Sequence, residues 1–293
     1  MAISASQVKA LRETTGLGMM ECKKALVETN GDKEAAIELL RKKAGAKVQK
    51  KAARTAADGA ISIKVSDDKK VVAMVEVNSE TDFVAKGDEF LAFAANVAAC
   101  VATNNPSDVA ELQDQTLVAG GNTVAKELES MITTLGEKMN VRRFVRHESQ
   151  GHIGSYLHGR KIGVVVDLEG GSEQLARDVA MHIAAIRPEY ISKDDVPAEV
   201  IAKEKEIFAA QAQDSGKPDN IVEKMVMGRV NKYLNEITLL GQSFVKDPDM
   251  TIEKLLNNAS AKVAAFYCYE VGEGIERKQE DFAAEVMAQV QGE

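Results

Sequence analysis

The segment Val77-Asn78-Ser79-Glu80-Thr81-Asp82-Phe83-Val84 joins a predicted buried strand to a predicted helix. The apolar residues 71–77 are rich in β-branched side chains and too few for a typical helix, so they predict a buried strand. Residues 78–82 are predicted to form the turn that leaves this strand, and residues 90–101 an alanine-rich helix. Phe83 therefore lies on a connection between a strand and a helix, where loops commonly carry function.

A purely local explanation of the same residues competes with a functional one. Thr81 or Asp82 could be the N-cap of a helix, with Phe83 packed against the first turn of that helix. An Asp-Phe pair on a loop is common. Taken alone, these residues favour the local explanation.

Length and composition predict a helix-rich protein of two or more units, because 293 residues exceed the usual size of one domain. Aromatic residues make up 4% of the chain and Trp is absent, which predicts cores of small aliphatic side chains. The N-terminus lacks the order of a secretion signal, and no apolar run approaches the ~18 residues of a membrane span. Three widely spaced cysteines form neither a disulfide framework nor a metal-binding pair, so we expect a cytoplasmic protein.

Charge is distributed unevenly along the chain. Of its 37 Lys and Arg and 45 Asp and Glu, residues 1–54 hold 12 and 6, which leaves 25 and 39 for the remainder. This acidic remainder argues against a protein that wraps nucleic acid. Residues 41–54 contain seven basic side chains, which predict either an RNA contact or a solvated helix end. We favour the helix end, because no aromatic residue interleaves for base stacking.

Residues 4–44 predict three short helices. Ser4 and Gln7 have the spacing of a capping box at the start of the first helix. Asp32 is the predicted N-cap of the third helix. The second helix, residues 19–29, has three candidate buried side chains, which are Met20, Ala25 and Leu26.

The middle of the chain repeats one pattern, a strand hairpin followed by an alanine-rich helix. In the first copy an alternating segment, residues 61–65, turns back into residues 71–77. In the second copy residues 153–157 lead through a turn at His158 into residues 162–168. Two such units, each with one face to bury, predict a two-layer α+β core.

Two further helices, residues 200–213 and 221–234, are predicted to form an antiparallel hairpin. Its narrow apolar stripe leaves open whether the hairpin binds a partner, mediates self-association or is a solvated arm. Beyond it, residues 251–258 predict a short helix and residues 262–271 a strand. Residues 281–290 predict an amphipathic terminal helix.

A search for catalytic motifs favours a binding protein over an enzyme. The sequence contains no P-loop, HExxH or GxSxG pattern. His147, His152 and His158 are near one another in sequence, but no cysteine or paired carboxylate completes a metal site around them. His182 is predicted to be a hydrogen-bonded, partly buried histidine on its alanine-rich helix. We therefore expect neither a metal ion nor another cofactor.

Two long motifs resemble signatures of the bacterial translation elongation factor Ts family. Residues 11–26 read LRETTGLGMMECKKAL, and residues 77–86 read VNSETDFVAK. Residues 154–159 and 271–276 are similar to the family as well, so the resemblance covers essentially the whole chain in order. It shifts the interpretation of Phe83 from local packing to a functional role.

The resemblance implies a guanine nucleotide exchange factor for the GTPase elongation factor Tu, without covalent chemistry. Its implied α+β architecture has five parts. They are a three-helix domain like a ubiquitin-associated domain with a basic linker (1–54), core subdomain 1 (55–147), core subdomain 2 (148–190 and 235–271), a helical hairpin (191–234) and a C-terminal helical module (272–293).

The resemblance also implies which residues contact the partner. Asp82 and Phe83 match an Asp-Phe pair that enters the GTPase near the Mg²⁺ of its nucleotide. Phe83 would act as an apolar wedge, and Thr81 to Val84 together would displace the ion. Further partner contacts are implied at Arg12, Met19, Met20, Leu135, Gly136 and His158. From the acidic remainder and the lack of a long apolar run, we expect no stable binding to nucleic acid or to a membrane.

Overall fold

The computed structural model describes residues 3–213 and 218–276. Its mixture of helices and sheets confirms the predicted α+β class. The helices are α1 (Ala5–Thr15), α2 (Met19–Glu28), α3 (Lys33–Lys51), α4 (Asp82–Ala85), α5 (Asp88–Asn104), α6 (Val109–Asp114), α7 (Val124–Leu135), α8 (Glu173–Ile186), α9 (Ala198–Gln213), α10 (Asp219–Ile237) and α11 (Ile252–Asn258). The strands are β1 (Asp58–Val65), β2 (Val71–Ser79), β3 (Met139–Glu148), β4 (His152–His158), β5 (Ile162–Glu169), β6 (Ser243–Phe244), β7 (Asp247–Thr251) and β8 (Lys262–Glu270).

The chain divides into two compact units. The first contains the residues up to Ser62, then Val75–Phe144 and the residues from Val271 onward. The second contains Ile63–Met74 and Val145–Glu270. The predicted domain boundaries, which separate residues 1–54 from a first core subdomain, stay a prediction.

The three N-terminal helices begin where the sequence predicts, but the third is longer than the predicted segment, residues 4–44, allows. At the start of α1, the Gln7 backbone N–H donates to Ser4 Oγ at 3.2 Å, and Ser4 N–H donates to Gln7 Oε1 at 2.9 Å. Asp32 caps α3 by accepting from the N–H groups of Glu34 and Ala35. Helix α3 continues to Lys51, so most of the basic segment is helical, as the favoured interpretation requires.

The buried face of α2 differs from the prediction at one residue. Ala25 and Leu26 are buried together with Cys22, whereas Met20 is 64% exposed. The prediction that Met20 is buried is wrong. Cys22, Ala25 and Leu26 follow the helical period and share one face, while Met20, two residues before Cys22, lies about 200° around the helix.

Strand β2 confirms the buried strand that the apolar run predicts. It is the middle strand of the sheet β1-β2-β3, and every residue after Val71 in it is buried. The alanine-rich helix α5 follows and buries Phe90, Phe93 and Val97. The turn predicted between strand and helix is shorter than expected, because β2 extends to Ser79 and Asp82 already begins the short helix α4.

The second unit contains the antiparallel sheet β4-β5-β8, in which His158 pairs with Ile162 at the tip of the β4-β5 hairpin. Helix α8 packs on this sheet, with Val179 and Ile183 in one apolar cluster with Val164. The approach is close, since a Cβ on Gly154 of β4 would lie 2.2 Å from the backbone carbon of Ala176. The predicted second hairpin and its alanine-rich helix are confirmed.

Helices α9 and α10 form the predicted hairpin. The ring centroids of Phe208 and Tyr233 lie 6.5 Å apart, and Arg229 Nη1 donates to Gln211 Oε1 at 2.9 Å. From the first contact to the second, the residue number rises on α9 and falls on α10, so the two helices are antiparallel. Val230 lies in their buried seam.

The C-terminal elements are described as far as residue 276. Helix α11 and strand β8 confirm the two elements predicted before that point. The terminal helix predicted at residues 281–290 lies outside the described residues. In the part of the chain that the structure describes, no helix combines the length and apolar character needed to cross a membrane.

Candidate partner-binding site

Phe83 is the most exposed of the large apolar side chains that the structure describes as exposed, with 84% of its surface accessible. It lies on α4, a helix of four residues. Thr81 is the N-cap of this helix, because its Oγ1 accepts from the Val84 N–H at 3.4 Å. The local explanation, with Thr81 or Asp82 as the cap and Phe83 packed on the first turn, is therefore right about a cap, at Thr81, and wrong about the ring, which is exposed.

The residues around Phe83 are held by contacts of their own, although the ring itself is exposed. Asp82 lies in the first turn of α4, where a negative charge suits the positive end of the helix dipole. Its carboxylate also forms an ion pair with Lys86 at 2.5 Å. Ala85 is buried, and this anchors the other end of the helix. A lone exposed apolar residue is ordinary on a protein surface, but this one stands on an ordered support.

A second segment of the predicted site meets the first through Glu137. Helix α7 ends at Leu135, and Gly136 follows in the left-handed conformation, with φ at 80°. The Glu137 carboxylate then accepts from the Thr81 N–H at 3.0 Å and from the Thr81 hydroxyl at 2.6 Å. The structure thus brings Thr81–Val84 and Leu135-Gly136, which are far apart in sequence, to one place in the first unit.

The neighbouring residues make the same kind of link in the opposite direction. The Lys138 backbone N–H donates to Glu80 Oε1 at 2.5 Å. Arg54 reaches the same carboxylate, with Nη1 at 3.3 Å from both oxygens. The Lys138 side chain donates to the carbonyls of Ala52 and Arg54 at 2.7 and 2.6 Å. The end of the basic segment is therefore tied to the turn that carries Phe83.

Glu80, Glu137 and Lys138 were not predicted as site residues. Glu80 and Lys138 are 58 positions apart, and Thr81 and Glu137 are 56. No local spacing links partners at such a distance. The one available signal was that Glu137 directly follows the predicted contact at Leu135-Gly136.

The predicted contacts in the N-terminal helices are accessible. Arg12 is exposed on α1, and Met19 and Met20 are 45% and 64% exposed at the start of α2. Val27, seven residues after Met20 and hence on the same face of α2, is 56% exposed. Met19, Met20 and Val27 therefore give the three N-terminal helices an exposed apolar surface.

His158 lies in the second unit, exposed at the end of β4. Its Nδ1 is 3.4 Å from the hydroxyl of Tyr156, and its neighbour Leu157 is 40% exposed. His147 does not join it, because His147 Nε2 binds Asp167 Oδ2 at 2.8 Å. Among the described residues no group of three His, Cys, Asp or Glu side chains is arranged to hold a metal ion.

Strand β2 also carries a buried carboxylate, Glu76, close to the turn. Arg142 Nη1 donates to its Oε1 at 3.0 Å, and Arg143 Nε to its Oε2 at 2.6 Å. Asn78 Nδ2 and the Gly272 N–H donate to Oε1 at 3.0 and 2.8 Å. Burial alone would raise the pKa of Glu76, but these hydrogen bonds outweigh it and lower the pKa below its usual range.

Comparison with known proteins identifies the family of the chain. The family described as Elongation factor TS matches residues 80–273. The chain is 58% identical to elongation factor Ts of Alkalilimnicola ehrlichii, with 100% of both chains covered. It is 59% identical to elongation factor Ts of Methylococcus capsulatus, with 99% of both chains covered. It is 57% identical to elongation factor Ts of Thioalkalivibrio sulfidiphilus, again with 100% of both covered. The chain belongs to the elongation factor Ts family.

Proposed function

We propose that this chain is a guanine nucleotide exchange factor for the translational GTPase elongation factor Tu. It binds the GDP form, promotes the release of Mg²⁺ and GDP, and so allows GTP to bind during the elongation cycle. The observation that carries the proposal is Phe83, an apolar ring held 84% exposed on a braced turn inside the motif that resembles the family. The chain acts by binding, without covalent chemistry.

The proposed mechanism inserts Asp82 and Phe83 near the Mg²⁺ site of the partner's nucleotide. Mg²⁺ neutralises phosphate charge in GTPases, so its displacement weakens nucleotide binding. Thr81 and Val84 complete the inserted segment. The effect is reciprocal: if this chain lowers the affinity for GDP, GDP lowers the affinity for this chain by the same factor.

One wedge is too small to account for a large effect on affinity. Each tenfold change needs about 1.4 kcal/mol of differential binding. Burial of one Phe side chain contributes roughly 1.5–3 kcal/mol. We therefore infer that other contacts also bind the nucleotide-free partner. These are Arg12, Met19, Met20, Leu135, Gly136 and His158.

We assign the parts of the chain to the five predicted domains. Residues 1–54 form the domain like a ubiquitin-associated domain, which is supported by the separate apolar cluster around Leu11, Cys22 and Leu26. Core subdomain 1 (55–147) carries the inserted segment, and core subdomain 2 (148–190 and 235–271) carries His158. The hairpin 191–234 is the candidate for self-association, and residues 272–293 form the C-terminal module.

We infer that the basic segment serves the fold and not a stable contact with nucleic acid. Three of its cations form ion pairs with carboxylates of this chain. Lys42 Nζ lies 2.8 Å from Glu38 Oε1, and Lys43 Nζ lies 2.6 Å from Glu28 Oε2. Arg54 pairs with Glu80. Exposed pairs of this kind contribute little to stability, but they neutralise cations that a phosphate backbone would need. We place the protein in the cytoplasm with its partner.

The test is the release of fluorescent GDP from purified elongation factor Tu, with and without catalytic amounts of this protein. The proposal predicts fast release that requires the protein. If a folded sample leaves the rate at its spontaneous value, the proposed function is wrong.

A further inference from the structure

Helix α4 is too short to set the direction of Phe83 by itself. It contains four residues, and forming the first turn of a helix is unfavourable without outside support. Buried Ala85 anchors its C-terminal end. The N-terminal end depends on what holds Thr81.

Glu137 holds both hydrogen-bond donors of Thr81 with one carboxylate. Its Oε2 accepts from the backbone N–H at 3.0 Å, and its Oε1 accepts from the hydroxyl at 2.6 Å. Hydrogen bonds to a charged acceptor are roughly twice as strong as neutral ones. Two of them to one residue fix both its backbone and its side chain.

The bond to the hydroxyl also determines how Thr81 caps α4. A hydroxyl has one hydrogen to donate and two lone pairs. Since Thr81 Oγ1 gives its hydrogen to Glu137, it remains an acceptor for the Val84 N–H, which lies 3.4 Å away. Glu137 therefore acts on α4 through the cap residue.

The opposite link between Glu80 and Lys138 keeps Glu137 in reach of Thr81. Lys138 N–H donates to the Glu80 carboxylate at 2.5 Å. Each of the segments 80–81 and 137–138 therefore supplies one carboxylate that accepts hydrogen bonds from the other segment. Gly136 makes the approach possible, because its φ of 80° turns the chain after α7 in a way that other residues rarely adopt.

We propose that Glu137 is a positioning residue that orders Thr81–Val84 in the free protein, so that Phe83 is presented to the partner in its inserting direction. The inference rests on the proposed exchange function. Ordering a segment before binding removes an entropy cost that would otherwise reduce affinity and rate. Glu137 acts through Thr81 and is distinct from the residues that touch the partner.

The first test needs no partner. In Glu137→Gln the charge is lost and one acceptor oxygen becomes an NH₂ donor, so the two bonds from Thr81 can no longer go to two separate charged oxygens. Amide hydrogen exchange, read by NMR at Thr81 and Val84, should become faster while the melting temperature shows a folded protein. Glu129→Gln, the same change on α7, is the control and should leave both amides unchanged. Unchanged protection in Glu137→Gln would overturn the proposal.

The second test measures GDP release from elongation factor Tu in a double-mutant cycle with Phe83→Ala. Glu137→Gln should slow the stimulated release roughly tenfold to a hundredfold, the range expected for hydrogen bonds to a charged group. In the Phe83→Ala background the same change should matter less than about twofold, because the two residues act as one unit. An equal loss in both backgrounds, or no loss in the wild-type background, would contradict the inference.

The two proposals fail in different ways. If the wild-type protein does not accelerate GDP release, the exchange function is wrong, and the hydrogen-exchange result still decides whether Glu137 orders the segment. If the wild-type protein accelerates release and Glu137→Gln does so equally well, only the positioning role is wrong.

Discussion

Two turns of this chain follow the same kind of hairpin and differ in what they expose. In one, β2 ends at Ser79, and the turn presents the exposed ring of Phe83. In the other, β5 ends at Glu169, and Gly170-Gly171 lead directly to the cap of α8 at Ser172. A Cβ on Gly170 would lie 2.4 Å from the carbonyl oxygen of Ser260, so this second turn is closed by packing. Similar strands and helices thus support a turn with an exposed apolar ring, which we propose binds the partner, in one place and a turn closed by packing in the other.

Strands β2 and β5, the second strand of each hairpin, also differ in how they bind a buried carboxylate. Glu76 of β2 and Asp167 of β5 each precede the last apolar residue of their strand, and both are buried. Glu76 is bound by two arginines. Asp167 is bound by His147, and Ser149 also donates to it. The strand that leads to Phe83 therefore has the more strongly charged anchor.

The largest expected effect on stability comes from Glu76→Gln. Glu76→Gln removes the charge that Arg142 and Arg143 share, while Arg143 keeps its ion pair with Glu273 and both arginines are partly exposed. The loss should therefore lie at the lower end of the about 3–5 kcal/mol that breaking a fully buried ion pair costs. Urea unfolding at pH 7 should show this loss, and Asp167→Asn should cost less, because its two partners are not permanent cations. Equal losses in the two variants would break the comparison of the two strands.

The same variant should change how stability depends on pH. The pKa of Glu76 is lowered in the folded protein, so its contribution is fully present above the pKa of about 4.3 that Glu has in the unfolded chain. This contribution is lost as the pH falls through the lowered folded pKa. Wild-type protein should therefore lose more stability than Glu76→Gln when the pH is lowered from 7 to below 4.

A smaller effect is expected for Gly170→Ala. The φ of 75° is unfavourable for alanine by about 1–2 kcal/mol, and the overlap with Ser260 adds to this. The control is Gly159→Ala, which has φ at 59° but open space around the added methyl. Thermal unfolding should rank Gly170→Ala as the less stable variant. If both variants melt together, the turn after β5 is not sealed by packing.

The smallest expected effect concerns His182 on α8. The alanine-rich segments 94–99 and 180–185 can be aligned, and this places Asn96 of α5 opposite His182 in the repeat. His182 is buried, its Nε2 lies 2.9 Å from Gln242 Oε1, and burial lowers its pKa. A lowered pKa means that stability is full above the unfolded value of about 6.5 and declines as the pH falls through the folded pKa. His182→Asn should remove this decline between pH 7 and pH 5. Denaturant unfolding with and without the substitution measures it.

Elements with a clear period were predictable from the sequence, and elements held by distant charges were not. The alternating and apolar runs predicted β2, β4 and β5, and the caps at Ser4 and Asp32 predicted two helix starts. Strand β3 was missed, because its residues are mostly half-buried and include Arg142, Arg143 and Arg146. Two of these arginines are explained by Glu76, on another strand. The hydrogen bond predicted for His182 is confirmed, but the predicted partial burial is wrong, because the residue is completely buried.

The candidate site shows the same limit. The motif around Phe83 and the cap at Thr81 could be predicted, because each depends only on residues close together in sequence. The exposure of Phe83 could not be predicted, since no neighbouring residue distinguishes a packed ring from an exposed one. The link from Thr81 to Glu137 depends on the fold, which closes a gap of 56 positions.

The most direct measurement compares Phe83→Ala with Ile186→Ala in the release of GDP from elongation factor Tu. Ile186 is an exposed apolar residue at the end of α8, after the sealed turn, and is 47% exposed. Truncation of a central interface residue costs about 2 kcal/mol or more, so Phe83→Ala should slow stimulated release by roughly thirtyfold or more. Ile186→Ala should match the wild type, and both variants should melt like it. Stimulated release at the wild-type rate by folded Phe83→Ala would contradict the account.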